Sequence, residues 1–232
     1  MRAETGRPRP GVSLVETLAA MTLTGLVLAI VVGTALAQMR LARATARRAG
    51  ATDAERTIVT VLAGEARRMT AADVTALSAD SVRIRAVRGT AIPCGLTPSG
   101  ILVRYEGDRL PDPSKDSVLI LSPPASIPDV LLDSQPAPAS CTARPAERVL
   151  EWRLGGTAAP GPVLLLFESG SYHLAGGAFR YRVGAGGRQP LTDQSLAHPD
   201  SRFTGVSARA ILFDLGIDGF TSSYAASFAP DP

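Results

Sequence analysis

Hydrophobic and polar positions fall into three successive regimes along the 232-residue chain. After a polar start, the 23 residues from Thr17 to Met39 carry no charge. As a helix rising about 1.5 Å per residue, that run spans roughly 34 Å, enough to cross a bilayer. From residue 40 the pattern turns amphipathic, with Ile58, Val61, Leu62, Glu65, Arg68 and Met69 at spacings of three and four. That spacing gives one apolar stripe for a sheet to pack on and a charged opposite face. No proline occurs between Val12 and Ile92, so one continuous helix is predicted from about Ser13 to about Met69. Gly25, Gly33, Gly50 and Gly64 are soft points in it, each costing up to about 1 kcal/mol relative to alanine.

Beyond Asp80 the period changes from helical to alternating. Residues 81–87 put Val82, Ile84 and Ala86 on one face and polar side chains on the other, the pattern of a half-buried strand. Further strands are predicted at 101–105, 118–121, 149–154, 163–167, 172–174, 179–183 and 208–214, with turns at Gly155-Gly156, Gly176-Gly177 and Gly184 to Gly187. Residues 107–116 and 122–147 hold eight prolines between them and read as long surface loops. The tail from Thr221 to Pro232 has no strong period and reads as partly mobile. One long helix followed by a run of strands is an α+β architecture, with the helix packed on an antiparallel sheet.

Composition narrows the function. The net charge is +3, from arginines rather than lysines, and aromatics are 5% of the chain with no basic block interleaved among them, so nucleic acid is not indicated as the primary partner. Cys94 and Cys141 stand far apart and outside any CxxC spacing, which argues against a zinc site or a redox motif. Export would permit a disulfide between them, worth about 4 kcal/mol from closing a loop of that length; two buried free thiols are the alternative. Arg2, Arg7 and Arg9 favour a cytoplasmic start, but Arg40, Arg43, Arg47 and Arg48 follow the apolar run and are more numerous. Charge count alone therefore leaves the orientation open.

The junction Gly11-Val12-Ser13-Leu14-Val15-Glu16-Thr17-Leu18, where the basic leader meets the apolar run, resembles the processing site of type IV prepilins and type II secretion pseudopilins. In that family a prepilin peptidase cuts after the glycine, the new amino terminus is methylated, and the apolar helix remains as the assembly stalk. The resemblance makes Gly11 the last leader residue, Val12 the new terminus and Glu16 the glutamate at the fifth mature position. Val12 stands where the family usually has phenylalanine. A carboxylate beside an apolar run costs a few kcal/mol in lipid unless it has a partner. In the family that partner is a neighbouring subunit's free amino terminus; the plain alternative is a glutamate that snorkels to water. Gly33 stands where many major pilins place a helix-breaking proline, which suggests a minor subunit, and the size of the domain and its strand-rich C-terminal half resemble the J-type pseudopilin and W-type minor pilin group.

The resemblance thus implies a leader at 1–11, a transmembrane and assembly helix at 12–39, its amphipathic continuation at 40–72, and an exported β-rich pilin-like domain at 73–232. The expected setting is the inner membrane, single-pass with a cytoplasmic amino terminus, and then a periplasmic or surface filament. Its implied partners are prepilin peptidase, other pilin or pseudopilin subunits, the inner-membrane assembly platform and the membrane itself. A competing pattern, Ala35-Leu36-Ala37, fits ordinary signal peptidase and would release a secreted binding module starting at Gln38, but the apolar run exceeds the usual signal core.

Catalytic patterns are weak. His198-Pro199-Asp200-Ser201 crowds three triad residue types into what reads as a loop, without the rigid convergence a triad needs. Residues 214–219 hold two aspartates and two glycines but lack the spacing of a calcium loop. The expectation is a structural subunit that is not an enzyme and uses no cofactor or metal.

Overall fold

The computed structural model describes residues 11, 13–122, 125–137, 141, 147–156, 161–194, 196–217 and 219–229, with the side chains of 125 and 197–199 left aside. A single α-helix, α1 (Leu14–Ala66), leads into twelve strands among these residues: β1 (Val74–Ser78), β2 (Ser81–Leu96), β3 (Ile101–Gly107), β4 (Asp116–Ser122), β5 (Ala125–Pro136), β6 (Arg148–Leu154), β7 (Val163–Ala175), β8 (Ala178–Val183), β9 (Gln189–Pro190), β10 (Ala197–Val206), β11 (Ala210–Ile217) and β12 (Phe220–Ser227). Every pairing is antiparallel. The chain divides between Ala49 and Gly50 into two units, so the first part of α1 belongs to one and its last turns to the other.

Two long strands organise the second unit. β2 and β7, of 16 and 13 residues, lie side by side from Ser81↔His173 to Ala91↔Leu164. Over residues 81–87 and 167–175 their outer neighbours are β1 on one side and β8 then β9 on the other, a layer ordered β1-β2-β7-β8-β9. Over residues 89–96 and 163–168 their outer neighbours are instead β3 and β4. Those connect through β6 and β5, so β2-β3-β6-β5-β4-β7 closes on itself as a six-stranded barrel. Closure removes the unpaired edges that an open sheet would expose. β10, β11 and β12 form a separate three-stranded sheet.

Each region has its own core. Alternating residues Ile101, Val103 and Tyr105, then Val118 and Ile120, Leu150 and Trp152, Leu164 and Leu166, form one buried cluster together with Ala91 and Leu131. Period-two burial, clearest on β3 and β6, is what filling a small barrel requires. The other cluster joins α1 to the two sheets. Ala54, Ile58, Leu62 and Ala66, four apart on one helix face, meet Val82, Ile84, Ala86, Tyr172, Leu174 and Phe179 on the layer, and Phe203, Ile211, Phe213, Leu215 and Ala226 on the three-stranded sheet. Full burial of Ile58 and Leu62 contributes about 1.5–3 kcal/mol each. The amphipathic expectation for this stretch is met with an alanine-rich face; Val61 sits at its margin.

A charged network lies between the two cores. The β2–β7 register slips between Val87 and Gly89, leaving Arg88 as the extra residue of a bulge. Its guanidinium donates to Glu65 of α1 at 2.8 Å, to Glu168 of β7 at 2.7 and 3.0 Å, and to the Tyr181 hydroxyl at 3.1 Å. Tyr172 donates to Glu65 at 3.1 Å and Tyr181 to Glu168 at 2.6 Å. On the barrel side Arg109 donates to Glu168 at 3.0 Å and holds Asp116 through two bonds of 2.5 and 2.7 Å. Burial alone would raise the Glu168 carboxyl, but bonds from Tyr181, Arg88 and Arg109, with the charge on Arg88, hold it below its ordinary value.

Several segments differ from the sequence expectation. The first part of the 122–147 stretch is the strand β5, not a loop. Its prolines are tolerated because β5 pairs with β4 through residues 125–130 and with β6 only from Leu131 onward, so Pro128 sits where the strand has a single neighbour. The tail is largely β12, paired residue for residue with β11. Residues 163–167 and 172–174 belong to one strand, β7. Gly170 does not break it, because the Tyr181 hydroxyl occupies the space a side chain would need, 2.2 Å from an added Cβ. Gly176 and Gly177 do make the expected turn, both at positive φ. Cys94 and Cys141 form a disulfide with Cα atoms 6.1 Å apart, tying β2 to the β5–β6 connection.

Replacing Arg88 with methionine is expected to destabilise the full-length chain by about 3–5 kcal/mol, because Glu65 is left buried without a cation and Glu168 keeps only Arg109. Arg68→Met, which removes an exposed pair with Asp108, should cost about 0–1 kcal/mol. Denaturant unfolding in detergent compares them, and equal losses would show that the buried network carries no special weight. Since the Glu168 carboxyl is depressed in the folded state, its contribution is present above the ordinary glutamate value of about 4.3 and declines as pH falls below it. Below that value the melting temperature should therefore fall more steeply with pH in the unaltered chain than in Glu168→Gln.

Candidate membrane-anchoring and assembly segment

The first unit holds residues 1–49, and its described structure is the opening stretch of α1. The helix starts on a reciprocal cap. The Ser13 hydroxyl accepts from the Val15 N–H at 3.3 Å, while the Glu16 carboxylate reaches back to the Ser13 N–H at 3.1 Å. Ser13-x-x-Glu16 thus satisfies amide donors that a helix start leaves orphaned, and the acidic group lies at the positive end of the helix dipole. Among the described residues this bond uses Oε2 of Glu16, with no partner at Oε1. The sequence carried the Ser-x-x-Glu signature for this cap, which reading Glu16 only as a lipid-buried carboxylate overlooks.

Behind the cap, the side chains are suited to an apolar solvent. All fourteen large apolar residues from Leu14 to Leu41 are solvent-exposed, between 48% for Val32 and 79% for Leu14. A continuous exposed apolar surface of this kind requires cover by lipid or by other protein. Its threonines are satisfied locally: the hydroxyls of Thr17, Thr22, Thr24 and Thr34 donate to the carbonyls of Ser13, Ala19, Ala20 and Val31. Such back-bonding removes most of the cost of placing a hydroxyl in hydrocarbon. Gly25 and Gly33 have open space where a Cβ would stand, so nothing within the chain requires their small size. Arg40 is the first charge after Glu16, and Arg43, Arg47 and Arg48 are likewise exposed. This helix is long and apolar enough to span a membrane and is compatible with a single-pass anchor.

Gly11 is exposed ahead of the helix, and Val12 with the leader at 1–10 lies outside the described residues. Cys94 and Cys141 belong to the second unit. The tetrad beginning at His198 falls on strand β10, not in a loop, and Ser201 is buried there, accepting a bond from the Gly216 N–H at 3.0 Å. Asp214 accepts from Ser223 and pairs with Arg202, while Asp218 is outside the described residues. No group of three or more His, Cys, Asp or Glu side chains placed to hold a metal ion occurs among the described residues. His173 is buried on β7 with its Nε2 2.9 Å from the Ser171 hydroxyl.

No protein-family model, curated protein or solved structure matches the chain.

Proposed function

We propose that the chain is a structural subunit, of the minor pilin or pseudopilin kind, of a type IV pilus or type II secretion pseudopilus. The single observation that carries this reading is the junction: a glycine at 11, a carboxylate at 16 on the first turn of the helix, and an uncharged span immediately after it. Prepilin peptidase would cut after Gly11 on the cytoplasmic side, freeing Val12 for methylation and leaving the β-rich domain outside the inner membrane. The exposed apolar face of α1 would then exchange lipid for neighbouring stalks, where Gly25 and Gly33 let helices approach closely. The disulfide agrees with an oxidising compartment for the domain. Glu16 serves two partners in this scheme, the Ser13 amide through Oε2 and the amino terminus of a neighbouring Val12 through Oε1.

Mass spectrometry of the mature amino terminus separates this reading from its rivals. A chain beginning at methylated Val12 is expected. One beginning at Gln38 would mean ordinary secretion, and one retaining residues 1–11 would mean a plain anchor; either result defeats the proposal.

The two roles of Glu16 separate by substitution, since glutamine preserves a capping box but carries no charge. Both Glu16→Gln and Glu16→Ala should insert and be cleaved normally yet enter filaments at least tenfold less than the unaltered chain. Normal incorporation of Glu16→Gln would mean that the carboxylate only caps the helix.

A further inference from the structure

On the layer β1-β2-β7-β8-β9, the face turned away from Val82, Ile84 and Tyr172 bears an unusual row. Arg83 of β2 stands opposite Ser171 of β7, which in turn stands opposite Arg182 of β8. With neighbouring strands about 4.8 Å apart, the two arginine backbones lie roughly 10 Å from each other with a serine hydroxyl between them, within reach of a common ligand. A cavity of about 390 Å³ opens here, lined among others by Arg83, Ser169, Ser171, His173, Arg182 and Gly184.

Charge accounting distinguishes these arginines from those that hold the fold. Arg68, Arg85, Arg88, Arg109 and Arg202 are each paired with a carboxylate. The side chains of Arg83 and Arg182, and of Arg188 just beyond β8, have no carboxylate or hydrogen-bond partner among the described residues, and Nε of Arg182 is shielded from solvent without an acceptor. Their combined field reaches the cavity floor: burial first, then the positive charges of Arg188, Arg182 and Arg83, push the His173 imidazole below its ordinary value. Set abreast with only Ser171 between them, the two arginines leave a local excess of positive charge on this face.

We infer that this cavity is a binding site for a phosphate-bearing anion, held by Arg83 and Arg182 in charge-assisted bonds and by the Ser171 and Ser169 hydroxyls, with His173 and its Ser171 partner at the floor. Guanidinium groups suit such a ligand because their forked donors match two phosphate oxygens at once. Free phosphate and a phosphate monoester headgroup share this chemistry. The site lies wholly within the second unit and does not depend on the filament reading.

The test uses the full-length chain in detergent, with His198→Gln removing the second of its two imidazole signals. Inorganic phosphate and glycerol 3-phosphate are titrated at constant ionic strength against chloride while the His173 resonance is followed by NMR. A saturable shift with a millimolar or tighter midpoint is expected, weakened at least tenfold by Arg83→Gln and by Arg182→Gln but not by Arg209→Gln, which removes an exposed charge elsewhere. Tighter binding of glycerol 3-phosphate would identify a monoester headgroup as the ligand, and equal binding would identify free phosphate. Arg83 is exposed, so its variant keeps the fold and carries the test if Arg182→Gln does not. Absence of a saturable shift with both probes, or an unchanged midpoint in Arg83→Gln, would overturn the inference.

Discussion

The second unit depends on one guanidinium. Arg88 is the residue at which β2 leaves the flat layer and enters the barrel, and its side chain grips both α1, through Glu65, and β7, through Glu168. A bulge places an extra residue without a ladder partner and strengthens the local twist. Here the residue so released is the one long enough to span the gap between two hydrophobic cores. Its charge is costly to bury, and burial works against it, but two carboxylates outweigh that cost and hold the guanidinium more firmly protonated than usual. An apolar side chain of similar volume would leave Glu65 without a cation and Glu168 with Arg109 alone, so the group is constrained as a set.

From that constraint the rest of the architecture follows. Because β2 and β7 are shared, the layer that packs on α1 and the barrel beyond it cannot move independently without breaking the longest strand pairing in the domain. Arg109 extends the same network into the barrel by fixing Asp116, whose side chain also accepts the Asp112 N–H at 2.7 Å, so the loop between β3 and β4 is ordered by charge rather than by an apolar core. At a point remote in sequence, the disulfide restrains the proline-rich connection between β5 and β6. The three-stranded sheet is bound differently, by apolar contact with α1 and by Tyr224 donating to Glu55.

Legibility in the sequence tracked side-chain size and period. The helix, the alternation at Val82, Ile84 and Ala86, and the strands carrying Leu, Val, Ile or Trp at every second position were readable because large apolar side chains mark the buried face. β12 was not, because its inward residue is Ala226 and its pairing energy lies in the backbone, which leaves little trace in hydropathy. β5 was hidden by Pro128, whose acceptability depends on which neighbour is missing at that position, a property of the closed barrel and not of the local sequence. Closure itself needs β2 to pair on opposite edges with β3 and β7, 73 residues apart at Ala91↔Leu164 and 14 apart at Ala91↔Tyr105, and no local period encodes such a choice. The cap was readable, since Ser13-x-x-Glu16 is a recognised helix-start pattern; the arginine row became visible only when the register set Arg83, Ser171 and Arg182 abreast.

The cap also alters what a carboxylate at this position means. A glutamate next to an apolar helix looks expensive when counted as an isolated charge in lipid. Bonded to the Ser13 amide at the positive end of a long helix, it is stabilised in place before any second subunit arrives. On the proposed reading, that bond holds the acceptor in a fixed position with one oxygen still open, so a docking amino terminus does not have to order a mobile side chain. Preorganisation of this kind lowers the cost of association. A helix cap and an intersubunit contact are then successive uses of the same group, and the residue types on either side, a serine behind it and an uncharged run ahead, serve both.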